Sequence, residues 1–173
     1  LDFTLRDEFA AAPIDYEQLA RWMAGPIEIL RTYYYNCLPY QSNPPTVEES
    51  ERFSKAQGFH ARLRRLPRFE VREGKLAFRG VDRDTGKSIF VQKRADIMLS
   101  VDLVLLAAKN QITHAMLLTG DSDFLPAISA AKNEGVLIHL FHGTLHPPHN
   151  ELWQAADERT VITQAVIDSI RRR

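Results

Sequence analysis

The chain is poor in cysteine. Cys37 is its one cysteine, so an internal disulfide cannot form and a Cys-based zinc site has no partners. A lone thiol of this kind acts as a small, buried or half-buried hydrophobe, and a cytoplasmic compartment is the expectation. Long hydrophobic runs are missing as well. The stretch Val101 to Ala108, itself broken by Asp102, falls far short of the ~20 residues that a bilayer-spanning helix needs, so no membrane partner is expected. No segment has the pattern of a secretory signal. The chain opens on Leu1 rather than Met, and is expected to start inside a longer protein. Internal repeats, low-complexity tracts and interdomain linkers are absent. Net charge is lacking too, with 22 Lys and Arg against 22 Asp and Glu.

What is present suits one globular domain over residues 1–173, with 45% hydrophobic residues to build a core. The charges are unevenly placed. Arg52 to Arg94 holds thirteen Lys and Arg but four Asp and Glu, a net of +9, which leaves −9 for the rest. A basic band beside an acidic surface is the electrostatic footprint of a phosphate-bearing partner. Arg62, Arg64 and Arg65 are its candidate phosphate contacts. The plainer reading is solvated charge on a helix and a hairpin.

Helical and extended patterns alternate along the chain. Residues 3–11 read as a short helix ended near Pro13. Asp15 can cap a helix through Met23, which Gly25-Pro26 stops. Residues 27–35 are rich in β-branched and aromatic side chains and read as a strand. Thr46 with Glu49 makes a capping box for a helix over 47–65. Phe69 to Arg72 and Lys75 to Phe78, separated by Glu73-Gly74, read as a hairpin. A turn at Asp84 to Gly86 leads into a strand over 88–92. Ala95 to Ala108 is an apolar helix, His114 to Thr119 a buried strand, and Phe124 to Glu134 a helix closed by Gly135. Val136 to His142 is another buried strand, and Leu152 to Ala156 and Gln164 to Arg171 are helical. This alternation predicts an α/β fold on a mostly parallel central sheet, with the β-hairpin as an insertion or edge.

The chemistry concentrates around Leu118-Thr119-Gly120-Asp121-Ser122-Asp123-Phe124. A buried strand ends in a glycine that lets the backbone turn, and two aspartates follow, where ligands bind in open parallel sheets. Ser122 and Asp123 can also cap the next helix; capping explains one acid but does not require two. Asp96 opens the apolar helix and Asp102 lies within it, about 120° away on an ideal helix. As a dipole residue and an exposed acid they need no function. Taken together, Asp96, Asp102, Asp121 and Asp123 are an oxygen-only ligand set of the kind that selects Mg²⁺ or Mn²⁺. Such an ion generates hydroxide, orients a phosphodiester and neutralises the leaving oxygen.

The central run resembles the "SGDSDF" signature of NYN domains, the PIN-like nucleases that include LabA-like bacterial proteins. Lys93-Arg94-Ala95-Asp96 and Asp102 resemble that family's "K-G-V-D" segment and the helix aspartate after it. Gly135 and the strand to His142 resemble its next helix end and strand. Asn150-Glu151-Leu152 with Asp157 is similar to a late "S-x-x-L…aaD" segment, and Tyr33-Tyr34-Tyr35 fits its second strand. The resemblance implies a three-layer, Rossmann-like α/β/α fold and metal-dependent ribonuclease chemistry. It implies a first-strand aspartate too, in a segment like "I-D-G-x-N-L". Leu1-Asp2-Phe3 is the nearest match, without the glycine and asparagine, and makes Asp2 a further candidate ligand. Asp157 is a second-tier candidate, equally readable as an exposed helix acid.

On this reading Asp2, Asp96, Asp121 and Asp123 hold the metal, and Asp102 completes the catalytic acids. Lys93 or Arg94 holds the scissile phosphate, with Ser122 beside it. The basic band carries flanking RNA, single-stranded or structured, and hydrolysis leaves a 3′-OH and a 5′-phosphate. A homodimer is compatible with the sequence. His139, His142, His146 and His149 have spacing that suggests zinc, but a polar or RNA-contacting loop fits their setting better. Tyr33 to Tyr35 and Trp153 fit a core better than a base-stacking surface. The main alternative is a catalytically weak domain that binds RNA or protein. A more distant one is a phosphatase or flap-type DNA nuclease.

Overall fold

The computed structural model of the protein describes residues 2–81 and 88–172, without the side chains of residues 2, 3, 77, 78, 81 and 88–93. The chain divides into two compact units. One comprises Leu1–Leu30 with Ser100–Arg173, the other Arg31–Leu99.

The first unit opens with α1 (Asp2–Glu8) and α2 (Tyr16–Ala24). Asp15 starts α2 as its residue type predicts. Its backbone is extended, and its carboxylate accepts the amides of Glu17 and Gln18, two donors that a helix start leaves unpaired. Gly25 ends the helix at φ +56, in the left-handed region.

The second unit contains β1 (Thr32–Cys37), α3 (Val47–Leu63), β2 (Phe69–Val81) and β3 (Ser88–Lys93), with sheet order β1-β2-β3. β1 starts at Thr32, where pairing with Phe69 begins, rather than at residue 27. The capping box at Thr46 and Glu49 forms in both directions. The hairpin expected about Glu73-Gly74 does not form. β2 runs straight through: Phe69 to Gly74 pair parallel with β1, and Lys75 to Val81 pair antiparallel with β3. A two-residue hairpin needs left-handed backbone at the turn. Gly74 is not among the positive-φ residues and lies opposite Cys37. Each half of β2 instead has its own partner strand, so its backbone groups are satisfied without a turn. Gly80, at φ +142, marks a bulge between Phe78 and Gly80. The turn expected at Asp84 to Gly86 lies outside the described residues.

Strand alternation sorts the tyrosines of β1. Tyr34 meets Phe59 and His60 of α3 edge-on, while Tyr33 and Tyr35 stack on each other at 6.0 Å. His60 is buried, and its Nδ1 lies 2.7 Å from Glu73, which also accepts Arg64 at 2.7 Å. These contacts to Glu73 tie the end of α3 to β2.

The helix α4 (Ala95–Ala108) carries the chain back to the first unit. There β4 (His114–Leu118), a 3₁₀ turn (Ser122–Phe124), α5 (Leu125–Asn133), β5 (Leu137–His142), α6 (Asn150–Ala155), β6 (Glu158–Val161) and α7 (Gln164–Ser169) follow. β4, β5 and β6 lie in that order, all parallel, so two β-α-β connections build the sheet. Ile138 and Leu140 of β5 are fully buried, as is Ile128 of α5; each such side chain contributes about 1.5–3 kcal/mol. A second cluster joins Leu5, Ile14, Leu19, Ile162, Ile167 and Ile170. The fold is thus mixed α/β with parallel sheets, as the alternation predicted. β6 was not legible: its four residues Glu-Arg-Thr-Val are mostly exposed and offer too short and polar a pattern.

Candidate metal centre

All three strands of the first unit's sheet run the same way, so one edge collects their carboxyl ends. β4 delivers Thr119, Gly120 and Asp121 there. The Thr119 hydroxyl accepts the Asp121 amide at 3.2 Å. Asp121 has an extended backbone, φ −89 and ψ 124, and caps the 3₁₀ turn, its carboxylate accepting the Asp123 amide at 2.9 Å. Phe124, buried at the end of the turn, anchors it to the core. Gly120 contributes less than its residue type suggested. It is not in the left-handed region, and a β-carbon there would meet nothing within 4 Å. The turn is held by the Thr119 hydroxyl and the Asp121 cap rather than by glycine's freedom.

Asp121 and Asp123 are both exposed, and Ser122 between them is half-buried. The Asp123 carboxylate takes no hydrogen bond or ion pair from any described residue. The cap expected of Ser122 or Asp123 is made by Asp121 instead, α5 starts from Phe124 without a side-chain cap, and capping does nothing for the carboxylate of Asp123. Among the described residues, no group of three or more His, Cys, Asp or Glu side chains is arranged to hold a metal ion. Two exposed carboxylates on one turn fit a hydrated Mg²⁺ or Mn²⁺ that takes its remaining ligands from water and phosphate. They do not form an all-protein cage.

Asp157 lies elsewhere. One carboxylate oxygen meets Lys132 Nζ at 2.7 Å and the other accepts the Ile138 amide at 2.8 Å. The Lys132 contact, then the Ile138 amide, holds its pKa below the usual value. Ile138 is near the start of β5, so Asp157 sits at the amino edge of the sheet, a strand's length (roughly 15–20 Å) from the carboxyl edge. Its network is structural, which removes it from the candidate ligands.

The family model of the NYN domain matches residues 3–163. The chain belongs to the NYN domain family. NYN domains are in general nucleases, and they typically use divalent metals. A crystal structure of a protein of unknown function, VPA0982 from Vibrio parahaemolyticus RIMD 2210633, is similar in fold, with a TM-score of 0.62 and 18% identity over 94% of this chain and 86% of that one. A search of curated proteins found no match. Among the described residues, no helix is long and apolar enough to cross a membrane.

Within this NYN domain the other expected residues fall as follows. Asp96 is exposed on the first turn of α4 and Asp102 is half-buried further along it. Asp2 opens α1, so the segment that resembles the family's first strand is helical here; its side chain, like that of Lys93 at the end of β3, is outside the described atoms. Arg94 is exposed at φ +78. That backbone suits glycine, and the family's "K-G-V-D" segment has glycine at this place. Arg62 lies over the Phe59 ring at 6.0 Å, and Arg65 is exposed just beyond α3. Arg64 is engaged by Glu73, so it is a weaker phosphate contact than its position in the basic band suggested.

The histidines do not gather. His139 meets Glu158 at 3.2 Å and Thr160 at 2.8 Å. His146 lies 2.9 Å from Asp7. His142 is buried, its Nδ1 2.7 Å from the Gly143 carbonyl and its ring edge-on to Trp153, with Nε2 unpartnered. Reading the sequence missed Asp7 and Glu8. Both meet the loop after β5, at the same carboxyl edge as Asp121. No motif marked them; only Gly143-Thr144 directly after a buried strand hinted at that loop.

Proposed function

We propose that this NYN domain is a metal-dependent ribonuclease that hydrolyses RNA phosphodiester bonds in the cytoplasm. The observation that carries this reading is the exposed Asp121–Asp123 pair on one turn beyond β4. Asp121 and Asp123 would hold Mg²⁺ or Mn²⁺, with Asp96 and Asp2 as further candidate ligands and Asp102 as a further candidate catalytic acid. When bound, the ion supplies Lewis acidity at the phosphate and lowers the pKa of water. The chain's own part is positional. The Asp121 cap fixes the turn, so that the Asp123 carboxylate is presented without a partner among the described residues. Ser122 is the candidate phosphate contact on that turn. Lys93 or Arg94 is the candidate for the scissile phosphate, and Arg62, Arg65 and, more weakly, Arg64 are candidates for flanking backbone, engaged without reading sequence.

A second reading is a catalytically weak RNA- or protein-binding domain. It is favoured by the helical Asp2 segment and by the lack of a three-acid group among the described residues. One experiment separates the two. Purified protein is incubated with labelled single-stranded RNA or DNA and Mn²⁺, Mg²⁺ or EDTA. Cleavage of RNA that EDTA abolishes supports the nuclease; binding without cleavage under every metal supports the second reading.

A further inference from the structure

β4 and β5 end side by side. Leu118 pairs with Phe141, and Asp121 and Thr144 each follow three residues later, beyond the ends of β4 and β5. Neighbouring strands lie ~4.8 Å apart, so the loop Gly143–His146 emerges next to the Asp121–Asp123 turn. That loop already holds an anion. One Glu8 carboxylate oxygen accepts the Thr144 amide at 2.6 Å and the Thr144 hydroxyl at 2.8 Å. The other accepts the His146 amide at 3.4 Å. The His146 ring, 2.9 Å from Asp7, stands at the same place. A β-carbon on Gly143 would meet the Glu8 carboxylate and the Thr4 side chain, so a side chain there would force Glu8 to shift. The amides of Thr144 and His146, the Thr144 hydroxyl and a side-chain-free approach at Gly143 converge on one carboxylate, as the donors of a concavity for phosphate and other oxyanions do.

The group that fills this concavity comes from far along the chain. Glu8 ends α1, and Ala10 and Ala11 directly after it both have left-handed backbone, φ +50 and +54. Alanine does not favour that region. Leu5 anchors α1 in the core, so it is the end of the helix, from Glu8 through Ala11, that is held against local preference by Glu8's contacts.

We propose that the loop Gly143–His146 is a phosphate-binding nest, and that Glu8 occupies it as an internal stand-in when no substrate is bound. The ligand is a phosphate group. Its identity as an RNA phosphodiester rests on the nuclease reading of the adjacent Asp121–Asp123 turn. RNA binding displaces Glu8, so Glu8 restrains the empty domain.

The test uses the full chain in EDTA, where no cleavage intrudes. Affinity for a labelled single-stranded RNA is read by fluorescence anisotropy, and the melting temperature is read with and without inorganic phosphate. Glu8→Gln keeps the shape and removes the charge. It should tighten RNA binding about tenfold or more, the scale of one charge-assisted hydrogen bond. Phosphate should raise the melting temperature of Glu8→Gln but not of the wild type. Adding Gly143→Ala to Glu8→Gln should abolish both gains, since the new β-carbon fills the nest. In the wild type, saturating RNA should speed proteolysis between Arg6 and Ala12, a readout that needs no variant. A phosphate shift without RNA binding would keep the nest as a free-phosphate site and remove the RNA reading. If Glu8→Gln binds RNA like the wild type and phosphate shifts neither melt, or if RNA leaves the proteolysis rate unchanged, Glu8 is only a structural tether and the nest is refuted.

Discussion

At the residue scale, the aspartates of this domain differ by what holds their oxygens. Asp121 spends one oxygen on the Asp123 amide, Asp123 spends none on the described residues, and Asp157 spends both on Lys132 and Ile138. An acid whose oxygens are fully engaged supports the fold, and one whose oxygens face solvent is available to an ion. Asp157→Ala should therefore cost stability and leave cleavage alone. It strips the Lys132 partner and leaves the Ile138 amide, on a fully buried residue, unpaired. Charged hydrogen bonds of this kind are worth ~1.5–3 kcal/mol; with the carboxylate about 35% exposed, a loss of about 1–2 kcal/mol is expected. Chemical denaturation beside a metal-dependent RNA assay checks both halves. A large loss of cleavage in a stably folded Asp157→Ala protein would return Asp157 to the reaction.

At the element scale, local signals held at the first helices, where a side chain meets its own backbone, but the cap expected of Ser122 or Asp123 fell to Asp121. The Asp15 cap, the Thr46–Glu49 capping box and the Gly25 stop are all where residue types put them. Thr46→Ala should remove the hydroxyl that accepts the Glu49 amide at 3.1 Å and destabilise α3 by ~0.5–2 kcal/mol. A melting curve identical to the wild type would mean that the α3 start is fixed by packing instead. Pairing between strands was less legible. Glu73-Gly74 looks like a turn locally, but β1 and β3 each claim half of β2, and no local pattern reports which distant strand is the partner. β6 escaped notice because four mostly exposed residues carry no usable period. The same limit hid Glu8, whose partners at Thr144 and His146 are more than 130 residues away. The Asp121–Asp123 turn was legible because strand, turn, cap and acids are contiguous in sequence. The addition of Asp2 depended on a first strand, and that segment is helical here.

At the scale of the whole molecule, acid sensitivity follows from five carboxylates among the described residues whose pKa values are lowered. Asp7 is lowered by Arg6. Glu8 is raised by burial but lowered further by Thr144 and its neighbours. Glu49 is lowered by Ser42 and Thr46. Glu73 is raised by burial but lowered further by His60 and Arg64. Asp157 is lowered by Lys132. A lowered native pKa means that the charged form is favoured on folding. The stabilisation is complete above the unfolded values, ~3.9 for Asp and ~4.3 for Glu. It is lost as pH falls through the lower native ones. Denaturation midpoints should therefore hold between about pH 7 and 5 and drop below about pH 4. A midpoint that rises on acidification would show that these contacts do not favour the charged forms. The central claim concerns the two acids beyond β4, and it is tested most directly by cleavage of labelled single-stranded RNA with Mn²⁺ or Mg²⁺ by the wild type, Asp121→Asn and Asp123→Asn. Asparagine keeps the shape, and at residue 121 it keeps a capping oxygen, while removing the negative ligand. The account predicts that each variant folds like the wild type, keeps or tightens RNA binding, and loses cleavage by orders of magnitude. Cleavage at the wild-type rate in either folded variant would contradict it.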